Sequence, residues 1–311
     1  MKCPNCSINH RRKRLGIRCS CGYPFSFTPD SDALTDNQMH NLIKQASANN
    51  TRYFTQESLY GLYLKISRQS GVTPAIFLLG VILSIIIGNV FEILFLFFIA
   101  LVLGIIFIKK LAKSSKPVSY NVFSSMLNTW QKTYLKSNYL IAEPSLNKPP
   151  PMNEEEDIFE YGVEKIIIVD KDLTVDMLVK NNEHANAKAL IISTNGYPNY
   201  LIQPLKKILA EQPEIQLILL HAVNEDKHSM LSQFKIKTGV NFNEEKVIDA
   251  AITPTQISNI KPLRYLKSHE QYATVDMLPY AALTGIVALG AADLLHSDVF
   301  ASVHIINDDF G

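Results

Sequence analysis

The sequence is poor in features that would name a reaction. It has no Gly-x-x-x-x-Gly-Lys-[Ser/Thr] segment, which excludes a P-loop nucleotide site, and no Gly-x-Gly-x-x-Gly follows a strand-like run. A Gly-x-Ser-x-Gly elbow and a His-Glu-x-x-His metal motif are also missing. Net charge is almost nil: 30 Lys and Arg against 29 Asp and Glu leave +1 over 311 residues, so no overall field favours a polyanionic partner. Three local shortages say more. Charge all but vanishes from Val72 to Ile108, cysteine is absent after residue 21, and residues 1–28 hold no acid.

The run from Val72 to Ile108 is 37 residues long and carries a single charge, Glu92. An apolar run of about 18 residues or more reads as membrane-spanning. As one helix it would reach about 55 Å, against a hydrocarbon core of about 30 Å. Two passes fit better, Pro74 to Ile87 and Phe91 to Ile108, reversing at Gly88-Asn89. A buried core hairpin would be as apolar, but the rest of the chain offers no obvious shell for it. The expectation is a two-helix transmembrane hairpin over 72–109, with the lipid bilayer as a partner. Lys65 and Arg68 precede it, and Lys109, Lys110, Lys113 and Lys116 follow. Basic flanks on both sides predict an inner (cytoplasmic) membrane location with both soluble ends cytoplasmic.

The cysteines form two close pairs, Cys3-Pro-Asn-Cys6 and Cys19-Ser-Cys21-Gly22. Two thiolate pairs joined by a short arm suit a tetrahedral Zn²⁺, each pair making a turn whose sulfurs converge. The second pair is C-x-C where C-x-x-C is usual. This basic head resembles the zinc ribbons at the N-termini of many bacterial proteins. The resemblance spans residues 1–28 and implies Cys3, Cys6, Cys19 and Cys21 as ligands of a structural zinc. His10 is a candidate substitute ligand. The run Arg11 to Arg14 beside the site has three readings: contact with nucleic-acid phosphates, contact with anionic lipid headgroups, or a solvated arm.

Residues 34–71 read as a helical segment, one helix over 34–49 and a second beginning after Thr55 with Leu59, Leu62, Tyr63 and Ile66. The span 110–157 reads as a helix over Tyr120 to Leu140 and then an acidic, proline-rich linker. From 158 to 311 the pattern becomes short β-branched runs alternating with amphipathic helices. Strands are expected at Lys165 to Val169, Ala189 to Ser193, Ile215 to Leu220 and Val247 to Ile252. Such a pattern predicts an α/β domain, Rossmann-like, with a mostly parallel sheet covered on both faces. Met277 to Leu295, rich in Gly and Ala, reads as a core or oligomer-interface helix, with a third membrane pass as the alternative.

Ligands of such sheets sit at the carboxyl ends of strands, here Asp170 and Asp172, Thr194 to Pro198, and His221 to Asp226. Val169-Asp170-Lys171, Gly196-Tyr197-Pro198 after the second strand and a polar loop after the third resemble the Toprim domain of the topoisomerase VI A subunit family. Ala251 to Gln256 adds to the likeness, which covers about residues 160–262. The resemblance implies a Mg²⁺ centre held by a glutamate and a D-x-D pair. Here Asp170 stands at the glutamate position and His221-Ala222-Val223 at the D-x-D. Valine binds no hard cation, and neutral histidine binds Mg²⁺ poorly. Glu225 and Asp226 lie close enough in sequence to compensate, and His221, Glu225 and His228 form a further, weaker grouping.

The whole chain thus reads as a multi-domain membrane protein: a small zinc ribbon, a transmembrane hairpin and a degenerate Toprim-like α/β domain. The expected function is non-catalytic binding or sensing through Asp170, Gly196, Tyr197 and His221. Partners would be nucleic acid or protein at the basic ribbon, in a homo-oligomer or complex. The alternatives are a membrane-tethered, metal-dependent nuclease-like enzyme using Asp170, Glu225 and Asp226, or a scaffold subunit of an envelope complex.

Overall fold

A computed structural model describes residues 2–10, 18–28, 32–69, 117–134, 137–148, 162–222, 226–251 and 274–289. Its centre is a four-stranded parallel sheet. The strands are β3 (Lys165–Val169), β4 (Ala189–Ser193), β5 (Gln216–Leu220) and β6 (Val247–Asp249), in the spatial order β4-β3-β5-β6. Val169 pairs with Ser193 on one side and Leu220 on the other, so three strands end level. The order reverses between β3 and β5, which makes their carboxyl ends the topological switch point of the sheet.

Alternate side chains of each strand enter different cores, as both-face burial requires. Ile166, Ile168, Leu190, Ile192, Leu217 and Leu219 meet helices α6 (Ile202–Glu211) and α7 (Lys227–Thr238) through Leu205, Leu231 and Phe234. Ile167, Val169, Ile191, Ile218 and Leu220 face the other way, onto α4 (Asp172–Lys180), where Val175 and Leu178 are fully buried.

That second core extends into the N-terminal half of the chain. Helix α1 (Asp36–Ala46) starts at a capping box, in which Thr35 and Gln38 satisfy each other's backbone N–H. It contributes Met39, Leu42 and Ile43. Helices α2 (Gln56–Gln69) and α3 (Tyr120–Thr133) add Leu59, Tyr60, Leu64, Phe123 and Leu127, all in the same apolar cluster as β3. Tyr60 donates its hydroxyl to the Val118 carbonyl at 2.9 Å, and the Val118 N–H donates to the Tyr63 hydroxyl at 3.1 Å. Two short strands, β1 (Phe54–Thr55) and β2 (Leu140–Ile141), pair in parallel beneath α4. The helix expected over Tyr120 to Leu140 therefore stops at Thr133, and its last residues supply a strand partner instead.

Between α4 and β4 in sequence lies α5 (Glu183–Asn186), which packs on both, and α8 (Tyr280–Leu289) touches α5. A turn at Val275–Met277 leads into α8 and lies against α2 at Gly61, where an added Cβ would come within 2.3 Å of the Met277 carbonyl oxygen. Only glycine permits that approach.

The expected transmembrane hairpin, and with it the inner-membrane location, has to be corrected. Among the described residues no helix is long and apolar enough to cross a membrane. The longest, α2 and α3, have 14 residues each, about 21 Å at 1.5 Å per residue against a core of about 30 Å. Both are amphipathic and turn their apolar sides to the protein interior. The run Val72 to Ile108 itself lies outside the described residues. Helix α8 is described over ten residues only, too few for the third pass considered for 277–295, whose remainder also lies outside them.

Candidate metal centre and carboxyl-edge site

The two cysteine pairs fold as two small loops. An antiparallel bridge between Lys2 and Asn9 closes the first, and one between Arg18 and Pro24 closes the second. Within them the Cys3 N–H donates to the Ile8 carbonyl and the Gly22 N–H to the Cys19 carbonyl, both at 2.9 Å. Gly22 takes a positive φ of 86° at the tip, so the turn accommodates the C-x-C spacing without a Cβ. The four sulfurs of Cys3, Cys6, Cys19 and Cys21 lie within 4.8 Å of one another and could hold a metal ion. Cys3 and Cys21 are 3.6 Å apart, Cys6 and Cys19 3.4 Å.

A tetrahedral ion with metal–sulfur bonds of about 2.3 Å separates its sulfurs by about 3.8 Å, so the spacing fits a thiophilic divalent cation. The thiols carry opposed shifts, as converging like charges do. Cys19 is lowered to about 5 by the backbone hydrogen bond at Cys21, helped by His10 and the Cys6 sulfur. Cys6 is raised to about 12: the Ile8 backbone pulls it down, but burial and the other three sulfurs outweigh it. His10 sits at the rim, its Nε2 3.0 Å from Cys19 Sγ.

The ribbon is locked to the helical body. The buried Asp36 carboxylate at the start of α1 accepts the Ser26 and Phe27 N–H groups at 2.9 and 3.1 Å. Tyr23 stacks on Tyr134 with centroids 4.5 Å apart, and the Tyr134 hydroxyl donates to the Pro24 carbonyl.

At the sheet's carboxyl edge, Asp170 follows β3 and His221 follows β5 on adjacent strands. His221 is 3% exposed. Its Nδ1 lies 2.8 Å from the Ala222 carbonyl and its Nε2 3.0 Å from Asp249 Oδ1. Both ring nitrogens are thus turned to protein oxygens rather than to an open position at the edge. Asp226 caps α7, accepting the Ser229 N–H at 2.8 Å, while Glu225 lies outside the described residues. His228 turns away to Glu244 at 3.3 Å. Among the described residues, the four cysteines are the one group of three or more potential ligands close enough to share an ion.

Gly196 and Tyr197 belong to a tight loop after β4. Gly196 has φ +76°, its N–H donates to the Ser193 carbonyl at 2.9 Å, and a Cβ there would press on Thr238 Cγ2 at 3.1 Å. Ser193 Oγ donates to Asp172 Oδ1 at 2.6 Å and accepts the Tyr197 N–H at 3.2 Å. The Tyr197 hydroxyl donates to Asp176 and accepts the Leu146 N–H. Asp176 is fully buried and also accepts the Ser145 N–H at 2.8 Å. Tyr197 thus ties residues 145–146 to the α/β sheet.

Two acids escaped sequence reasoning. Asp249 closes β6, and placing that strand's end at Ile252 hid it, although the strand-end rule would otherwise have marked it. Asp276 left no sequence signal, because its partners are distant in the chain. It is fully buried, accepting the Thr55 hydroxyl at 2.9 Å and the Thr174 hydroxyl at 2.6 Å, with the Glu57–Lys171 ion pair nearby. Burial raises its pKa, Glu57 adds to the rise, and Thr174, Lys171 and Thr55 oppose it. The folded protein therefore keeps this proton to higher pH than the unfolded chain does. Its contribution to stability is full below the unfolded pKa of about 4 and is lost as pH rises through the folded value. Asp276→Asn is expected to flatten the fall in stability over that window, read as urea midpoints from pH 4 to 7. Parallel wild-type and variant curves would reject this.

Compared with protein-family models, curated proteins and solved structures, the chain finds no match in any of the three.

Proposed function

We propose that this protein is a non-catalytic binding module: a zinc-stabilised N-terminal ribbon fixed to an α/β body whose sheet edge is a degenerate Toprim-like site. The observation that carries this reading is His221. Where the resemblance calls for a metal-binding carboxylate, a buried histidine stands with both ring nitrogens turned to protein oxygens. Asp226 is spent on a helix cap, and Tyr197 on holding residues 145–146. Asp170, Thr194 and Gly196 stand at the same edge, the Thr194 hydroxyl donating to the Asp170 carbonyl at 3.3 Å, a set of positioned polar groups suited to holding a ligand without transforming it.

Zinc is the ion that suits the ribbon best. Four thiolates make a closed, soft donor set with no open position, which supports a structural role. Held against α1 and α3, the ribbon would present a nucleic-acid or protein partner to the same body that carries the sheet edge.

The rival reading, a metal-dependent nuclease-like enzyme, gains one point from Asp249, a carboxylate at the end of β6, two strands across the sheet from the strand that Asp170 follows. The full chain is expected to show no Mg²⁺- or Mn²⁺-dependent cleavage of single- or double-stranded DNA or RNA. Metal-dependent cleavage abolished by Asp170→Ala would overturn the binding reading.

A further inference from the structure

The metal centre has a feature that four ligands alone do not require. Four thiolates around a divalent ion leave excess negative charge on the sulfurs, and something must offset it. His10 is placed to do so. The Lys2–Asn9 bridge delivers it to the rim of the cluster. Its ring packs edge-on against Phe25, centroids 5.5 Å apart and planes at 72°, and Phe25 is itself buried and braced edge-on by Tyr23. Nε2 then lies 3.0 Å from Cys19 Sγ. A thiolate only accepts, so the nitrogen facing it carries the hydrogen.

His10 is not itself in the ligand cluster, whose four mutually close atoms are all sulfur. The ring sits one layer out, where partners of metal ligands fix geometry and tune the charge on the donor atom. Cys19 thereby differs from Cys21, the exposed sulfur of the same pair, whose side-chain neighbours are Asn5 at 3.7 Å and Cys3 at 3.6 Å.

We propose that His10 is a positioning residue of the metal centre: its Nε2–H hydrogen-bonds the Cys19 thiolate, stabilises the charged four-sulfur site and slows release of the ion. This rests on the metal reading of the ribbon, and the experiment separates the two.

Full-length wild type, His10→Ala and His10→Gln are each loaded with Zn²⁺ and with Co²⁺. Metal content, metal release to a competing chelator, and the Co²⁺ absorption spectrum are then measured. Wild type is expected to hold one ion with a four-sulfur Co²⁺ spectrum. His10→Ala should keep that spectrum but bind about 10–100-fold more weakly, the range for loss of an outer partner. His10→Gln, which retains an N–H donor, should recover most of the difference and control for folding. Equal affinity and release in all three proteins would overturn the proposal. So would a wild-type spectrum of three sulfurs and one nitrogen lost in His10→Ala, which would make His10 a ligand. A wild type that holds no ion at all would instead remove the metal reading beneath it.

Discussion

Cys3→Ser is expected to abolish metal binding by the full chain and to unfold the ribbon. Cys3 is fully buried, and its N–H and carbonyl close the first loop through Ile8 and Ser7. The apolar support around it is small: Cys19 and Phe25, with Tyr23 and Cys6 partly buried. Such a cluster cannot offset the conformational entropy of ordering the two loops, at about 1–2 kcal/mol per residue for the backbone alone. Metal binding must supply the remainder, as it does in small metal-dependent domains, where it is worth about 10–16 kcal/mol.

The loss should reach the helical body too. With the ribbon unfolded, the Asp36 carboxylate loses the Ser26 and Phe27 N–H groups that hold it, and a buried charge without its donors is destabilising. Metal content falling from one ion to none, with loss of near-ultraviolet dichroism from the Tyr23–Tyr134 stack, is the expected pair of readings. A variant that retains a full complement of metal would show that the cluster is not the site.

Gly61→Ala should have the second-largest effect. In most helices that exchange is mildly stabilising, by up to about 1 kcal/mol. Here the new methyl group would lie 2.3 Å from the Met277 carbonyl oxygen and 2.9 Å from its carbonyl carbon, both backbone atoms. Neither can swing aside, because Asp276 next door is fixed by Thr55 and Thr174. Either α2 shifts or the 275–277 turn leaves, taking Asp276 from its donors. The expected cost is about 3 kcal/mol, at the upper end for overpacking, a fall of about 6–12 °C in unfolding midpoint. An unchanged or raised midpoint would mean that the turn does not dock on α2 in solution.

These two positions mark what was legible in sequence and what was not. Cysteine pairs announce themselves because the ligand chemistry fixes both residue type and spacing. Ile166 to Val169, Ala189 to Ile192 and Leu217 to Leu220 announce themselves because a strand buried on both faces must be continuously apolar. Gly61 carried no such mark, since its role depends on a carbonyl more than two hundred positions away. The same holds for Thr55 and Asp276, 221 residues apart in sequence.

Short pairing was equally hidden. Leu140–Ile141 sits at the end of a helix-like pattern and became a strand only because Phe54–Thr55 was there to receive it. The membrane expectation rested on the run Val72 to Ile108, outside the described residues, and among the described residues no helix is long and apolar enough to cross a membrane. The carboxyl edge was half legible: the strand ends were found, but the hydrogen bonds that occupy His221 and Tyr197 come from partners no local pattern specifies.

The bonds joining Tyr60 and Tyr63 to Val118 have a consequence for how this chain can vary. They bring the exit of α2 and the entry to α3 to one place. Tyr63 is six residues from the end of α2, about 9 Å along its axis. The backbone on either side of residues 70–116 is therefore held at one latch. Tyr60→Phe and Tyr63→Phe each remove one half of that latch, so the chain can lose either hydroxyl singly while the other still holds α2 to the start of α3.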